Sequence, residues 1–361
     1  MKNLLQALTS MVVLTTLLLV TSAAQKIEYS EKEVRFKSGD VVLAGTFFVP
    51  KSKTKSPAII ITHGSGPDSR KFRNYRLRAA EFAGKGVAAL IYDKRGVGDS
   101  TGEYIETPDL HIPAGDVLAA VRYLKKRKDI DPKKIGVMGT SQGGWVAPLA
   151  ASMSDEIAFV ISISGPGVSV REQVIYQTGK KISDYGFSNE DVAEMKEFME
   201  KLYEYYSTGE GFNETKKAWA VAKEKKWFFK QLFGKHGEEL TPPDKLPTKD
   251  FDFYRNLSYD PVPVLQRIEV PTLAVFGAMD RHIPVARSVA KWQETFEKGG
   301  NEEKLTLKVF PKAGHGINTI EEEKEWLVPP PDVKINRRGF VPGFLDFLHE
   351  WVLRITKLRA I

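Results

Sequence analysis

Ser141 stands in the run Gly139-Thr140-Ser141-Gln142-Gly143, with a glycine two residues away on either side. A serine hydroxyl becomes a useful nucleophile only when a base takes its proton, and that base needs a carboxylate to hold its tautomer. Such five-residue patterns arise by chance, so the meaning of this one depends on what the rest of the chain brings to it. Six histidines are available: His63, His111, His236, His282, His315 and His349. Only His315, in "FPKAGHGI", follows the last expected strand in a glycine-flanked loop. His63 ends a strand but precedes Ser141, and His349 lies on an amphipathic helix as a surface or packing residue. His111 and His236 sit in irregular polar contexts, and His282 reads as a loop residue rather than the base.

For the carboxylate, Asp280 ends "TLAVFGAMD", the strand before the one that delivers His315. Asp93 and Asp99, in "YDKRGVGDSTG", are alternative acids, but their arginine- and glycine-rich setting suggests loop bracing. Acyl transfer through a tetrahedral intermediate also requires two amide donors for the oxyanion. One is the backbone N–H of Gln142, directly after the serine; the other comes from "HGSGPDSR" and is assigned to Ser65, with Gly64 and Gly66 as alternatives.

These residues need a scaffold that gathers loops from distant parts of the chain. Short apolar runs at 58–63, 87–92, 134–139, 159–164, 272–277 and 305–310 alternate with stretches of helical spacing. Strands apolar on both faces, alternating with helices, imply a mostly parallel sheet covered on both sides. Before them, "KEVRFKS" and "VVLAGTFFVP" read as an antiparallel hairpin. Ser141 then falls directly after a buried strand and before a helix, the place a nucleophile elbow requires, with the helix dipole favouring negative charge there.

About a hundred residues separate "FVISISGPG" from "VPTLAVFG", far more than a simple crossover uses. Ser188 with Asp191 can cap a helix whose face carries Val192, Met195, Met199, Leu202 and Tyr206, and a second helical stretch is expected from Asn213 to Phe233. Residues 168–259 are therefore read as a helical insertion between two segments of core, 25–167 and 260–361. Its aromatics Trp219, Trp227, Phe228, Phe229, Phe233, Phe251, Phe253 and Tyr254 could line an apolar pocket or form the insertion's own core.

The chain has 361 residues, 42% hydrophobic and 11% aromatic, enough to bury a full core. Residues 1–24 have the order of a secretory signal peptide: Lys2, an apolar run from Met11 to Val20, then Ser22, Ala23 and Ala24. Its removal would change the formal charge from +7 to +6 and leave a soluble exported protein without stable membrane insertion. Acids interleave with lysines, as in "EMKEFMEKLYE", which describes solvated helix faces and not a nucleic-acid surface. No cysteine is present, which excludes disulfides and lipid attachment through cysteine.

Taken together, "HGSGPDSR", "ALIYDKRGVGDSTGE", "DPKKIGVMGTSQGGWVAPLAAS", "VPTLAVFGAMDRHIPV" and "FPKAGHGI" resemble the α/β-hydrolase superfamily, in its bacterial esterase and prolyl-oligopeptidase-like branch. The chain order serine, acid, histidine is that of this superfamily. The resemblance implies an α/β-hydrolase fold with Ser141 as nucleophile, Asp280 as acid and His315 as base, and the insertion as a cap over the site. The triad with its oxyanion loop points to cleavage of small-molecule carboxylic esters, needing no metal and no organic cofactor, and the insertion's aromatics point to short to medium or aromatic acyl groups. An exported aminopeptidase or acyl-peptide hydrolase, a thioesterase, and a non-catalytic binding protein on the same scaffold are the other readings; absence of a propeller-length amino-terminal region disfavours the peptidase.

Overall fold

Ten residues on either side of Gly39 and Asp40 form the opening hairpin, β1 (Tyr29–Ser38) and β2 (Val41–Pro50), paired antiparallel from Ser38↔Val41 to Tyr29↔Pro50. Gly39 takes φ 60° at the turn, a conformation open to glycine at no steric cost. The computed structural model describes residues 26–105, 109–228, 256–319 and 339–358. The leader, 1–24, lies outside these residues, and so do His236, Phe229, Phe233, Phe251, Phe253 and Tyr254.

Every strand expected from the apolar runs is present: β3 (Ser56–Thr62), β4 (Ala88–Tyr92), β5 (Ile130–Thr140), β6 (Phe159–Ile163), β7 (Thr272–Gly277) and β8 (Leu305–Phe310). They join the hairpin in one sheet ordered β1-β2-β4-β3-β5-β6-β7-β8, parallel from β4 to β8. Both faces of the central strands are buried, so no alternation survives in runs such as Ile59, Ile60 and Ile61, all at 1% exposure or less. Helices α1 (Arg73–Ala83), α2 (His111–Lys125) and α3 (Gly143–Ser152) follow β3, β4 and β5. Between β6 and β7 the described residues form α4 (Val170–Asp184), α5 (Asn189–Thr208), α6 (Phe212–Ala222) and the single turn α7 (Val262–Leu265); α8 (Val285–Gly299) and α9 (Phe344–Thr356) follow β7 and β8.

Alternate strand residues feed opposite cores. Ile60, Leu90 and Val137 pack with α2 and α3, while Ile59, Ile61, Ala89 and Met138 pack with α1 and α9. Each large aliphatic side chain so buried contributes about 1.5–3 kcal/mol relative to exposure. His349 of α9 is a packing residue, buried at 2% exposure with its ring 4.8 Å edge-on from Phe82.

The segment between β6 and β7 departs from the sequence reading in two places. The capping box of α5 forms as expected, Ser188 accepting from the Asp191 amide at 3.2 Å and Asp191 accepting from the Ser188 amide at 3.0 Å. By contrast, α4 was not anticipated, because its inward face carries Ile175, Thr178, Gly179 and Ile182 and so lacks a clear apolar period. Small residues serve there because α5 packs close: a Cβ at Gly179 would touch Lys196, Val192 and Met195. The helix expected from Asn213 to Phe233 ends at Ala222 and is followed by a turn. Trp219, Trp227 and Phe228 gather around Phe198 of α5, with centroids 5.9–6.1 Å from its ring, and so belong to this segment's own core.

Helix α3 passes close to β6 at Gly144, where a Cβ would collide with the Gly165 backbone and Ser162 Oγ. Gly144→Val should therefore lower the thermal midpoint by about 2–10 °C, the range expected for overpacking a rigid core. A circular-dichroism melt with an unchanged midpoint would show that α3 can move off β6 freely.

Candidate functional site

Parallel pairing brings the carboxyl ends of β3, β5, β6 and β7 level, with Thr62 opposite Gly139, Gly139 opposite Ser162, and Ile163 opposite Val275. Loops leaving those ends share one edge of the sheet. Ser141 leaves β5 with φ 58°, a left-handed conformation that costs a non-glycine residue about 1–2 kcal/mol. Two backbone bonds hold it there: its N–H donates to Ile163 O at 2.9 Å, and its carbonyl accepts from the Gly144 N–H at 2.7 Å. A Cβ at Gly139 would overlap the Gly143 backbone, and one at Gly143 would run into His63 O. Gln142 precedes the first residue of α3, and Trp145 packs beneath the turn with Nε1 donating to Pro166 O at 2.8 Å.

Asp280 follows β7 with its carboxylate fully buried; Oδ2 accepts from His315 Nδ1 at 2.7 Å and Oδ1 from the His282 N–H at 2.8 Å. His315, after β8, is thereby held as the Nδ1–H tautomer. Its carbonyl accepts from Ser164 Oγ at 2.5 Å, and Ser164 directly follows the Ile163 carbonyl that anchors Ser141. Arg78 closes the same circuit from below: Nη1 donates to Thr140 Oγ1 at 2.7 Å and Nη2 to Gly316 O at 3.2 Å, so one side chain grips the residues beside both Ser141 and His315. Its guanidinium lies over the rings of Phe340 and Phe344, and burial brings its pKa down to about 10, which leaves it cationic at neutral pH. No sequence pattern marked Arg78, since an arginine on a helix ordinarily faces solvent.

The loop after β3 is braced from inside. His63 Nε2 donates to Tyr92 O at 2.5 Å, and burial pushes the His63 pKa to about 3, so the ring is neutral and occupied. The Gly64 N–H donates to Tyr75 Oη at 2.9 Å and is committed there, which removes Gly64 from the alternatives for an oxyanion donor. Lys94 Nζ donates to Gly64 O at 2.5 Å and Gly66 O at 2.7 Å, and burial lowers its pKa to about 8. Tyr75 Oη donates to Asp68 Oδ2 at 2.5 Å, and burial raises the pKa of Asp68. Ser65 is exposed on this loop, next to Gly64, whose added Cβ would lie 3.8 Å from Ser141 Cβ. Asp93 and Asp99 do brace: both bond the Arg70 guanidinium, and Asp93 Oδ1 also accepts the Arg70 N–H at 2.7 Å.

His282 is a second residue, after Arg78, whose surroundings the sequence does not convey. Its ring lies 4.6 Å from that of His315, tilted by 42°, and its contacts come from α4. A pocket opens beside Gln142, lined by Lys94, Arg95, Tyr104, Ile105 and Ile112. Among the described residues no cluster of side chains could hold a metal ion, and no helix is long and apolar enough to cross a membrane.

Residues 38–309 match the family described as X-Pro dipeptidyl-peptidase (S15 family). The chain belongs to that family. This S15 member is similar to Esterase EstD of Thermotoga maritima, 25% identical over 337 residues that make up 90% of this chain and 68% of that one. It is also similar to the quorum-quenching protein AidA of Acinetobacter baumannii, 32% identical over 130 residues, 36% of this chain and 42% of AidA, so less than half of that relative's length is matched. Among solved structures, the α/β-hydrolase GrgF from Penicillium sp. superposes with a TM-score of 0.53 at 19% identity, over 92% of this chain and all of GrgF. The expected fold is thus present: an α/β-hydrolase with an eight-stranded, mostly parallel sheet.

Two substitutions test how the S15 member's site is braced. Arg78→Met keeps the apolar stem but releases Thr140 and Gly316, and should lower kcat by about 10- to 100-fold with little change in KM, as misplacement of reacting groups does. Lys94→Met frees the Gly64 and Gly66 carbonyls and should act mainly on kcat, by less than the roughly 10²–10³ lost with an oxyanion donor itself. Steady-state kinetics on a short p-nitrophenyl ester checks both, and a wild-type kcat in either variant would show that its brace is dispensable.

Proposed function

We propose that the protein is a serine carboxylic-ester hydrolase with Ser141 as nucleophile, His315 as general base and Asp280 as the carboxylate that holds His315. The observation that carries this reading is the 2.7 Å bond from His315 Nδ1 to Asp280 Oδ2, at the edge of the sheet where Ser141 stands at φ 58°. The name of its similar relative, Esterase EstD, supports ester cleavage.

In this mechanism His315 Nε2 takes the Ser141 proton as Oγ attacks the ester carbonyl. The oxyanion that forms is met by the amides of Gln142 and Ser65. As the C–O bond breaks, the imidazolium gives its proton to the departing alcohol. Water then attacks the acyl-enzyme; His315 removes its proton and returns it to Ser141, releasing the acid. Ester and water thus become acid and alcohol, with the enzyme unchanged. We assign short to medium or aromatic acyl groups to the small pocket beside Gln142, where Tyr104, Ile105, Ile112 and Pro113 lie among the charged Lys94, Arg95, Glu103 and Asp116. We assign the helices between β6 and β7 the role of a cap, and residues 1–24 that of a leader cleaved on export.

The family match favours one second reading, a serine peptidase that uses the same three residues on an amide bond. Ser141→Ala should reduce hydrolysis of p-nitrophenyl butyrate by on the order of 10⁴-fold or more and abolish labelling by a fluorophosphonate probe. Retained turnover in that variant would remove Ser141 from the mechanism. Assaying p-nitrophenyl esters beside aminoacyl and X-Pro anilides separates the readings: faster anilide cleavage would make the enzyme a peptidase, and faster cleavage of long-chain emulsions than of butyrate esters would contradict the acyl preference.

A further inference from the structure

His282 lies between the proposed cap and the proposed base, and its hydrogen bonds have a fixed direction. The Gln173 side-chain amide donates to Gln177 Oε1 at 3.1 Å and to His282 O at 2.8 Å. With Oε1 of Gln177 so used, its amide nitrogen faces His282 Nδ1 at 2.7 Å. An amide N–H can only donate, so Nδ1 must accept and the ring proton must sit on Nε2. Its neighbour His315 has the opposite arrangement, with Nδ1–H bonded to Asp280. Two imidazoles thus lie 4.6 Å apart, each with its tautomer set by a different element.

We propose that His282 is a positioning residue for His315: α4 of the cap, through Gln173 and Gln177, holds it as a neutral ring against which the His315 imidazolium forms during turnover. The inference rests on the reading of His315 as the base.

The reason a neutral ring is needed is electrostatic. A second cation at this distance would oppose protonation of His315, which must accept the Ser141 proton, whereas a neutral π-face tolerates or attracts it. The surroundings of His282 keep it neutral. Burial, first, and then His315 lower its pKa to about 4; Lys181 of α4 and Arg281 act in the same direction and Asp280 opposes. Tyr176, also on α4, is close enough to feel the Asp280 charge. The same helix is joined by ion pairs to this loop and to α8, Asp184 with Arg281 and Glu172 with Arg287, the latter at 2.7 Å. Helix α4 therefore meets the site through Gln173 and Gln177.

The direct test uses the intact protein labelled with ¹⁵N-histidine, free and after reaction with a fluorophosphonate. In both forms His282 should show the neutral Nε2–H tautomer from pH 8 to pH 5, while His315 becomes imidazolium in the adduct. A His282 that titrates near the ordinary histidine value, or that carries its proton on Nδ1, overturns the proposal; failure to form any adduct instead overturns the esterase reading. Kinetics give a second readout. Gln177→Glu reverses the hydrogen-bond polarity and places a proton on Nδ1, so kcat should fall by about tenfold or more with KM little changed. The acid limb of kcat/KM should move, because the added carboxylate and the proton it draws onto His282 change the charge facing His315. Gln177→Met, which removes the anchor without adding charge, should lower kcat but leave that limb in place. Where Ser141→Ala abolishes activity of the otherwise native enzyme, wild-type kcat and pH profile in both Gln177 variants would overturn the proposal.

Discussion

Where β5 gives way to α3, two stretches of backbone pass with no room for a Cβ at Gly139 or Gly143, and Ser141 is held between them at φ 58°. The rest of the site depends on that close passage. It lifts one hydroxyl above the sheet edge and leaves the Gln142 amide at the start of a helix. It also requires the neighbouring loops to be equally well placed, because a strained serine without a partner would be cost without function.

Those loops are held by polar groups that bind both backbone and one another. Lys94 grips two carbonyls of the loop after β3, Arg78 joins the residues flanking Ser141 and His315, and Ser164 holds the His315 carbonyl. Arg70, with Asp93 and Asp99, ties the loop after β4 to the same region. Cations buried in this way are expensive unless their hydrogen bonds are made, so each fixes its loop with little freedom to drift.

Helices α4, α5 and α6 share a core of their own, and among the described residues α4 bonds to the loop that carries Asp280 and His282. One face of α4 is therefore written in small and polar residues, for packing against α5 and for bonding to that loop. Such a face satisfies tertiary geometry while obscuring helical periodicity.

Much of this was determined by local chemistry and was legible in the chain itself. Apolar runs buried on both faces marked all six parallel strands, glycine spacing marked the turn at Ser141, and the order of Ser141, Asp280 and His315 marked the fold. The box at Ser188 and Asp191 was equally plain, because capping needs residues only three apart. What depended on tertiary structure was contact across long separations. Arg78 looks like a surface arginine until α1 is laid under the sheet edge, and His282 looks like a loop residue until α4 turns a glutamine onto its ring. Side chains that bond to groups more than a hundred positions away leave no local period or spacing, so only the folded chain could reveal them.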